Sequence, residues 1–337
     1  MKAFQIVEYA HPSKIQVATD VPVPKPGKGE VLIDVHAAGL NFFDILQAQG
    51  KYQTQPPMPF VLGAEFSGTI SADSPIPKHC PYKPGDRVFG YAQGAYGEHV
   101  VANPFALIPL PDNVSFEQAA VVPLTYTTSY EGLVHRGKIQ PGEWVLVHAA
   151  AGGVGLAACQ IAKLMGCKVI ATASSDIKRA VCIDHAGVDA VVDYTKKDWQ
   201  KEVMKITDGK GVNVVYDPVG MILPSLKCVA WNSRLVVVGF AAGTIEKIPA
   251  NLLLLKQASV VGLFWGGGTT RDPQHAVQVV SEVLGLLSSG KLKPILYEKV
   301  YNGLETVSEA LQDLEGRKTW GKGVIRIRPS TLREAKL

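Results

Sequence analysis

The sequence predicts an α/β protein in which a doubly wound, parallel-sheet domain is inserted into a β-rich, barrel-like domain. Up to about Val122, short strands alternate with turns rich in proline and glycine, which is typical of a barrel. From Trp144 onwards, apolar strands alternate with helical patterns, as they do in βαβ units. After about Phe264 the pattern returns to the first type. We therefore predict domain segments at 1–122, 123–263 and 264–337, the first and third forming one domain.

Each predicted element has a local pattern. Strands of the first segment are predicted at residues 3–7, 16–19, 31–38, 65–70, 87–90 and 98–101, followed by helical spacing at 116–134. Strands of the inserted sheet are predicted at 144–148, 168–173, 190–193, 212–216, 234–238 and 259–263. The last segment is predicted to contain a glycine loop at 266–268, a helix at 275–288 and a strand at 323–327.

A glycine-rich turn follows the first strand of the inserted sheet. Ala150, Gly152 and Gly155 occupy the positions of a GxGxxG phosphate-binding turn, with alanine in place of the first glycine. Such a turn brings the backbone close to a pyrophosphate, which then accepts hydrogen bonds from the N-terminus of the next helix. Because a strand precedes the turn and a helix and strand follow it, we predict a dinucleotide site that includes Ala150, Gly152, Gly153, Val154 and Gly155.

The residues after the second strand of this sheet indicate which dinucleotide binds. NAD sites usually carry an acid there, which binds the ribose 2′-hydroxyl. Here residues 173–175 are Ala-Ser-Ser, and Lys178 and Arg179 follow as cationic partners for a 2′-phosphate. Asp176 is the alternative, as a displaced acid. We therefore predict NADPH as the cofactor, with NADH as the alternative.

Composition and charge limit the class of protein. The chain has 337 residues and a net charge of +4, and its Lys and Arg residues are scattered, so we expect no nucleic-acid partner. The five cysteines form no CxxC pair, which is typical of free thiols in a reducing compartment. No signal-peptide or membrane-spanning pattern is present, so we expect a cytoplasmic protein. Residues 335–337, Ala-Lys-Leu, are close to a peroxisomal address, which leaves a peroxisomal location open in a eukaryote.

Six short stretches carry a family resemblance that covers nearly the whole chain. They are 38–44 (AGLNFFD), 49–52 (QGKY), 63–68 (GAEFSG), 84–88 (PGDRV), 150–155 (AAGGVG) and 320–323 (WGKG). In order and spacing they resemble the zinc-free quinone oxidoreductase (zeta-crystallin-like) branch of the medium-chain dehydrogenase/reductase superfamily. The resemblance implies a GroES-like β-barrel catalytic domain, an inserted Rossmann domain and a homodimer.

The resemblance also bears on metal content. Zinc-dependent members of the superfamily have a cysteine where Asn41 stands and a histidine where Ala64 stands, and neither residue present here can replace those ligands. The structural-zinc lobe of four closely spaced cysteines is missing too, because Cys80 is alone in its region. The eight histidines show no ligand spacing. We therefore predict a zinc-independent reaction and no metal.

By resemblance, the reaction is hydride transfer from NADPH to a quinone or an α,β-unsaturated carbonyl. Asn41 and Tyr52 are the candidate catalytic residues, near the nicotinamide and the substrate carbonyl. Tyr52 is then a proton donor or oxyanion partner, the alternative being a tyrosine that only lines the cleft. Glu65 is expected to be a buried structural carboxylate rather than a general base. An aromatic substrate slot is expected from Phe42, Phe43, Tyr91, Tyr96 and Trp265, with core packing as the alternative.

Further positions correspond to cofactor contacts in the family. Besides Asn41, Tyr52 and the glycine turn, they are Thr127, Ser174, Lys178, Tyr194, Met221, Val238, Gly239, Phe240, Leu263, Phe264, Trp265 and Lys322. For Phe240, Phe264 and Trp265, ordinary packing is the alternative interpretation.

Two other functions remain open. The first is an enoyl-thioester (enoyl-CoA) reductase, which would need a basic entrance for the CoA phosphates, with Lys51, Arg271 and Lys293 as candidates. The second is an NADPH-binding structural or RNA-associated protein of the crystallin type. The modest, dispersed charge argues against the second.

Overall fold

The computed structural model describes residues 1–243 and 245–329 and divides the chain into two compact units. The first unit contains Met1–Leu124 and the chain from Leu296 onwards, and the second contains Thr125–Ile295. The predicted insertion of one domain into the other is therefore present. The C-terminal tripeptide lies outside the described residues. Among the helices described, none combines the length and apolar character needed to cross a membrane.

The first segment is built mainly from short strands. Its elements are β1 (Gln5–Ile6), β2 (Val31–Gly39), α1 (Phe42–Ala48), β3 (Phe60–Val61), β4 (Glu65–Ile70), β5 (Arg87–Tyr91), β6 (His99–Ala102), β7 (Ile108–Pro109) and α2 (Phe116–Ala119), with 3-10 turns at Pro12–Lys14 and Pro104–Ala106. The strand predicted at 16–19 is wrong: only Ala18 pairs there, in a single bridge to Ala3.

The second unit is a six-stranded parallel sheet with helices between its strands. Its elements are α3 (Val122–Tyr130, which begins in the first unit), a π-helical segment (Glu131–Arg136), β8 (Trp144–Val147), α4 (Gly153–Leu164), β9 (Lys168–Thr172), α5 (Asp176–Ala186), β10 (Ala190–Val192), α6 (Trp199–Ile206), β11 (Val212–Asp217), α7 (Ile222–Ser225), β12 (Val229–Val237), α8 (Ala250–Lys256), β13 (Ser259–Gly262), α9 (Trp265–Arg271) and α10 (Pro273–Ser288). The strand order β10-β9-β8-β11-β12-β13 is the 3-2-1-4-5-6 order of a Rossmann fold. All six strands predicted for this sheet are confirmed.

The chain then returns to the first unit. It adds β14 (Tyr301–Asn302), a 3-10 turn (Leu304–Thr306), α11 (Val307–Glu315) and β15 (Val324–Arg326). In the resulting sheet the order is β14-β15-β2-β4-β5-β7, with β6 also paired to β2. β15 lies antiparallel to β2, so the last strand described completes a sheet that begins at residue 31. Its core includes Ile33, Phe66, Tyr96 and Tyr301, each with at most 1% of its surface exposed.

Two sequence predictions for residues 264–295 differ from the structure. Segment 264–295 belongs to the second unit, because Gln160 Nε2 donates to Lys293 O and Ile295 N donates to Tyr126 Oη. The glycines at 266–268 lie in helix α9 rather than a loop. The Thr269 and Thr270 hydroxyls donate to carbonyls of the preceding turn, and a Cβ on Gly267 would lie 2.5 Å from the Phe264 ring.

Candidate functional site

A buried lysine joins three polar groups in the first unit. Lys322 Nζ donates to Leu40 O (2.7 Å), Asn41 Oδ1 (2.8 Å) and Glu65 Oε1 (2.6 Å). Its side chain is only 6% exposed and that of Glu65 is fully buried. An ammonium has three N–H donors, and all three are used here. The prediction that Lys322 contacts the cofactor is therefore not supported, because its charge is committed to Glu65.

Asn41 and Glu65 are fixed by the same network. Asn41 Nδ2 donates to Glu65 Oε1 (2.8 Å), and Glu65 Oε2 accepts from the backbone N–H of Leu124 (2.8 Å). Glu65 thus accepts from three separate donors, which agrees with the structural role predicted for it. A zinc ion does not fit at this position: Ala64 offers no ligand atom, the Asn41 oxygen is already bound, and Lys322 supplies the cation.

A second buried acid, which the sequence did not single out, lies on helix α1. The Asp44 Oδ2 atom accepts from Tyr96 Oη (2.6 Å) and from the backbone N–H of Asn41 (2.9 Å). Burial raises the pKa of Asp44 to about 7. Tyr96 has no exposed surface and also donates towards Gly39 O (3.2 Å), so it is a core residue and not part of a substrate slot. The aromatic-slot prediction is wrong for Tyr96.

Tyr52 lies at the surface of the first unit beside other aromatic side chains. Its ring stacks on Phe43 with centroids 5.2 Å apart. Phe42 and Tyr91 are 49% and 55% exposed, so these members of the predicted aromatic slot are accessible. Burial, and to a lesser degree the charge of Asp44, raises the pKa of the Tyr52 phenol above its usual value. The phenol therefore keeps its proton at neutral pH.

In the second unit, the glycine turn has the shape predicted for a phosphate site. Gly152 is exposed and is the N-cap residue of α4, so no side chain caps this helix. A Cβ on Gly155 would lie 2.5 Å from Ala149 O, which shows why only glycine lets α4 pack this closely on the turn. Ala150 is buried, and Gly153 and Val154 form the first helical turn. The uncapped helix N-terminus suits an anionic ligand.

The end of β9 carries no acid, as predicted. Ser174 is exposed, Ser175 caps α5 by accepting from Lys178 N (3.3 Å), and Lys178 is half-buried. Arg179 donates to Ala173 O (3.1 Å) and pairs with both Asp176 and Asp193. Its charge is therefore balanced by two carboxylates, and Asp176 is engaged by the arginine instead of standing alone. Tyr194 is half-buried against the core of this unit.

The loop after β11 is organised by Asp217, which the sequence did not identify. Asp217 is fully buried and accepts from the backbone N–H groups of Val219 (2.9 Å), Gly220 (3.0 Å) and Met221 (2.5 Å). Asp217 O also accepts from Val238 N (2.9 Å). The Asp217 side chain thus holds Met221 and its backbone carbonyl holds Val238, so two predicted cofactor contacts lie at neighbouring strand ends. The acid shows no local motif because its partners are backbone amides.

A buried histidine extends this network. His148 lies between Thr172 Oγ1 (3.0 Å) and Ser225 Oγ (2.7 Å), and Ser225 donates to Met221 O (2.6 Å). Burial lowers the pKa of His148 to about 4, so the ring is neutral. The ring therefore donates to Ser225 and accepts from Thr172, which connects the ends of β8, β9 and β11.

The other predicted cofactor residues of this unit differ in accessibility. Gly239 follows Val238, its N–H reaching Asp217 O at 3.4 Å, and Phe240 is 43% exposed. Leu263 N donates to Val237 O (3.0 Å), and Phe264 is 67% exposed. Thr127 and Trp265 are buried within the chain. Thr127 is therefore almost completely enclosed, whereas Phe240 and Phe264 are open.

Comparison with known proteins identifies the family. The model for the alcohol dehydrogenase GroES-like domain matches residues 27–112, and that for zinc-binding dehydrogenases matches residues 153–282. A relative from Nematostella vectensis, a quinone oxidoreductase-like protein 2 homolog, is 41% identical over 304 residues, covering 89% of this chain and 82% of the relative. These matches define an oxidoreductase of the medium-chain dehydrogenase/reductase superfamily. Within that superfamily, the chain belongs to the quinone oxidoreductase branch.

Solved structures show the same fold. Escherichia coli quinone oxidoreductase complexed with NADPH has a TM-score of 0.85 and 31% sequence identity, covering 97% of this chain and 100% of that one. The CurK enoyl reductase has a TM-score of 0.85 and 28% identity, covering 97% of this chain and 99% of that one. Members of one fold therefore include proteins named for two different reductions.

Proposed function

We propose that this protein is an NADPH-dependent, zinc-independent reductase of quinones or α,β-unsaturated carbonyls. The observation that carries the proposal is the uncapped N-terminus of α4 at an exposed Gly152, followed at the end of β9 by Ser174 and Lys178 and no unpaired acid. The NADPH complex of the E. coli relative supports it. The pyrophosphate would bind the residues of the glycine turn, and the 2′-phosphate would bind Ser174 and Lys178.

Fluorescence titration with NADPH and NADH tests the cofactor preference. The wild type should bind NADPH more tightly than NADH. Ser174→Asp should reverse the preference, because its carboxylate repels a 2′-phosphate and accepts from a ribose hydroxyl. Lys178→Ala should weaken the binding of NADPH by about tenfold, because it removes one charge-assisted hydrogen bond. The affinity for NADH should stay unchanged. The control Lys201→Ala, on the exposed side of α6, should alter neither. Tighter NADH binding by the wild type would contradict the proposal.

The first unit supplies the proton in this proposal. Bound NADPH supplies a hydride, and the Tyr52 phenol donates the proton that completes the reduction. Asn41 Nδ2 carries a second N–H besides the one donated to Glu65, and we propose that it positions the substrate carbonyl or the carboxamide of the cofactor. Lys322 and Glu65 hold the Asn41 amide in one orientation.

Replacement of Tyr52 by phenylalanine tests whether Tyr52 donates a proton or only lines the cleft. Tyr52→Phe should lower kcat by about 10²-fold or more while leaving the affinity for NADPH unchanged. Tyr91→Phe is the matched control, because Tyr91 is an accessible tyrosine of the same unit. If the two variants lose activity equally, or Tyr91→Phe loses more, Tyr52 is not the donor.

Zinc independence follows from the Lys322 network in this proposal. Glu65 already has a cationic partner, and Asn41 replaces the cysteine found in zinc-dependent members. Protein treated with a chelator should therefore retain turnover with simple quinones or enones. No turnover from chelator-treated protein that is folded and binds NADPH would contradict the proposed reaction.

The second candidate is reduction of enoyl thioesters. The likeness to the CurK enoyl reductase favours it. Lys51, Arg271 and Lys293 are all exposed, as candidates for binding CoA phosphates must be, but Lys51 lies in the first unit and the other two in the second. NADPH oxidation with crotonyl-CoA, compared with a simple quinone, distinguishes the two substrates.

A further inference from the structure

Two histidines and two glutamates meet in the second unit, in residues distant in sequence. His275 Nε2 lies 2.8 Å from Glu131 Oε2, and His135 Nε2 lies 3.0 Å from Glu282 Oε2. The two imidazole rings are 4.8 Å apart between centroids and meet edge to face. We call these four residues the histidine cluster. The ligand atoms of Glu131, His135 and His275 lie within 4.8 Å of one another, and in the described part of the chain no other such group of three or more potential metal ligands occurs.

The backbone of this region is unusual. Glu131 and His135 lie on the π-helical segment, one turn apart, and Gly137 N donates to Gly132 O (2.8 Å) in the wide π pattern. π-helical turns are rare and occur frequently at functional sites. His275 and Glu282 lie two turns apart on α10, so each helix presents one histidine and one glutamate. The sequence prediction that the eight histidines show no ligand spacing missed this group, because its members belong to two distant helices.

The charges in the cluster favour a cation. The side chain of Glu131 is only 10% exposed, and that of Glu282 is 33% exposed. Burying a carboxylate is costly unless it is paired. Within the cluster, the nearest partner of each carboxylate is an imidazole nitrogen, at 2.8 Å for Glu131 and 3.0 Å for Glu282. A divalent ion would balance both, while accepting nitrogen lone pairs from both rings.

The donor set indicates the metal. Two imidazole nitrogens and carboxylate oxygens suit Zn²⁺, whereas Ca²⁺ and Mg²⁺ prefer oxygen ligands alone. With Zn–N and Zn–O distances of about 2.0–2.2 Å, tetrahedral ligand atoms lie about 3.3 Å apart. His275 Nε2 and Glu131 Oε2 are 2.8 Å apart, and the ligand atoms of Glu131, His135 and His275 all lie within 4.8 Å of one another, so the three can approach one ion.

We propose that Glu131, His135 and His275 form a zinc site that links the π-helical segment to α10, with Glu282 beside His135 as an outer partner. Glu131 and His275 also line a cavity of about 190 Å³ together with Leu263, Phe264 and Trp265. Ion binding therefore fixes the wall of that cavity and the turn after β13. The zinc site is a structural one. None of its residues belongs to the candidate site of Asn41, Tyr52 and Lys322. Its existence does not depend on the proposed reaction.

Metal binding by the full chain tests the proposal. Chelator-treated protein should bind one Zn²⁺ in calorimetric titration, and Co²⁺ in its place should give the visible absorption of a tetrahedral N/O site. His135→Gln and His275→Gln should each lower the affinity for Zn²⁺ by more than about tenfold, since each removes a ligand. Glutamine keeps a side-chain N–H that can bond the facing carboxylate, so the fold should be retained.

The matched control is His11→Gln. His11 Nε2 also lies 2.7 Å from a carboxylate oxygen, Glu315 Oε2. In the described part of the chain, this surface pair belongs to no group of three potential metal ligands. The His11→Gln substitution should therefore leave the Zn²⁺ affinity unchanged. Zn²⁺ should also raise the Tm of the wild type and not that of the His135→Gln/His275→Gln double variant. Equal Zn²⁺ affinity of the wild type and the double variant, or no binding by the wild type, would overturn the proposal. Turnover measured on the same metal-free samples reports separately on the proposed reaction.

Discussion

At the scale of single residues, the first unit depends on one buried ion pair. Lys322 and Glu65 are separated by 257 positions in the chain, and their side chains are 6% and 0% exposed. The sequence indicated a buried Glu65 and an Asn41 in place of a metal ligand. It did not indicate that Lys322 neutralises Glu65 and donates to Asn41, because a lysine in a glycine-rich stretch has no local pattern that distinguishes an internal partner from a ligand contact.

Replacing Lys322 should strongly destabilise the protein. Lys322→Met leaves Glu65 buried without its cation, and breaking a buried pair costs about 3–5 kcal/mol. Urea denaturation should show a fall of that order in the free energy of unfolding. The control Lys318→Met removes an exposed ion pair with Asp313, whose lysine is 71% exposed, and should cost less than about 1 kcal/mol. Equal losses in the two variants would contradict the assigned role of Lys322.

Asp44 gives the stability a specific pH dependence. Because burial raises the pKa of Asp44 from 3.8 to about 7, the folded protein holds this proton more tightly than the unfolded chain does. The stability that results is fully present below about pH 4 and is lost as the pH rises towards 7. Asp44→Asn keeps an oxygen acceptor for Tyr96 and Asn41 but cannot titrate.

Urea denaturation at about pH 5 and about pH 8 measures this effect, since the two values lie on either side of the folded pKa. Between them the wild type should lose stability relative to Asp44→Asn. A difference between the two proteins that stays constant with pH would show that Asp44 titrates normally.

At the scale of elements, continuous apolar patterns decided what the sequence could predict. The central strands β8, β9 and β11 of the parallel sheet are almost entirely buried, and each strand of the sheet contains an apolar run that can be recognised locally. Helix α9 could not be recognised, because Gly266–Gly268 disfavours a helix and the Phe264 ring, which leaves no room for a Cβ at Gly267, gives no signal in the sequence. The Asp217 and His148 networks could not be predicted either, because their partners are backbone groups and distant hydroxyls.

The start of α4 is an element-scale prediction. In Gly155→Ala, the new Cβ would lie 2.5 Å from Ala149 O and 2.7 Å from Ala150 Cα, so the helix must move away from the turn. We expect a loss of thermal stability and a weaker NADPH affinity of at least tenfold, measured by calorimetry and fluorescence titration. Gly285→Ala in α10 is the control, because no atom lies within 4 Å of its Cβ, and alanine there should stabilise the helix by up to about 1 kcal/mol. Unchanged NADPH binding by Gly155→Ala would contradict the assignment of this turn.

At the scale of the whole molecule, the parallel sheet has two edges, formed by β10 and β13. An unprotected edge strand can pair with another chain. Val260 and Val261 of β13 are half-buried in a single chain, and the family resemblance implies a homodimer joined through such an edge. The dimer itself remains a prediction.

Light scattering coupled to size-exclusion chromatography tests the predicted dimer and its pairing through β13. Val261→Lys should shift the protein from dimer to monomer, because a charge within the paired edge opposes association. Val191→Lys in β10, at the opposite edge, is the control and should leave the dimer intact. A wild type that elutes as a monomer, or a dimer unaffected by Val261→Lys, would contradict pairing through β13.

The late position of β15 and Lys322 also bears on how the protein is made. β2 and Glu65 leave the ribosome early, yet their strand partner and their cation are encoded at residues 322–326. Throughout most of synthesis the nascent first unit therefore carries an unpaired sheet edge and an acid without a counterion, while the continuous second unit has everything it needs to fold. The inserted unit should acquire protease resistance on the ribosome first, and the surrounding unit only after residues 322–326 have emerged.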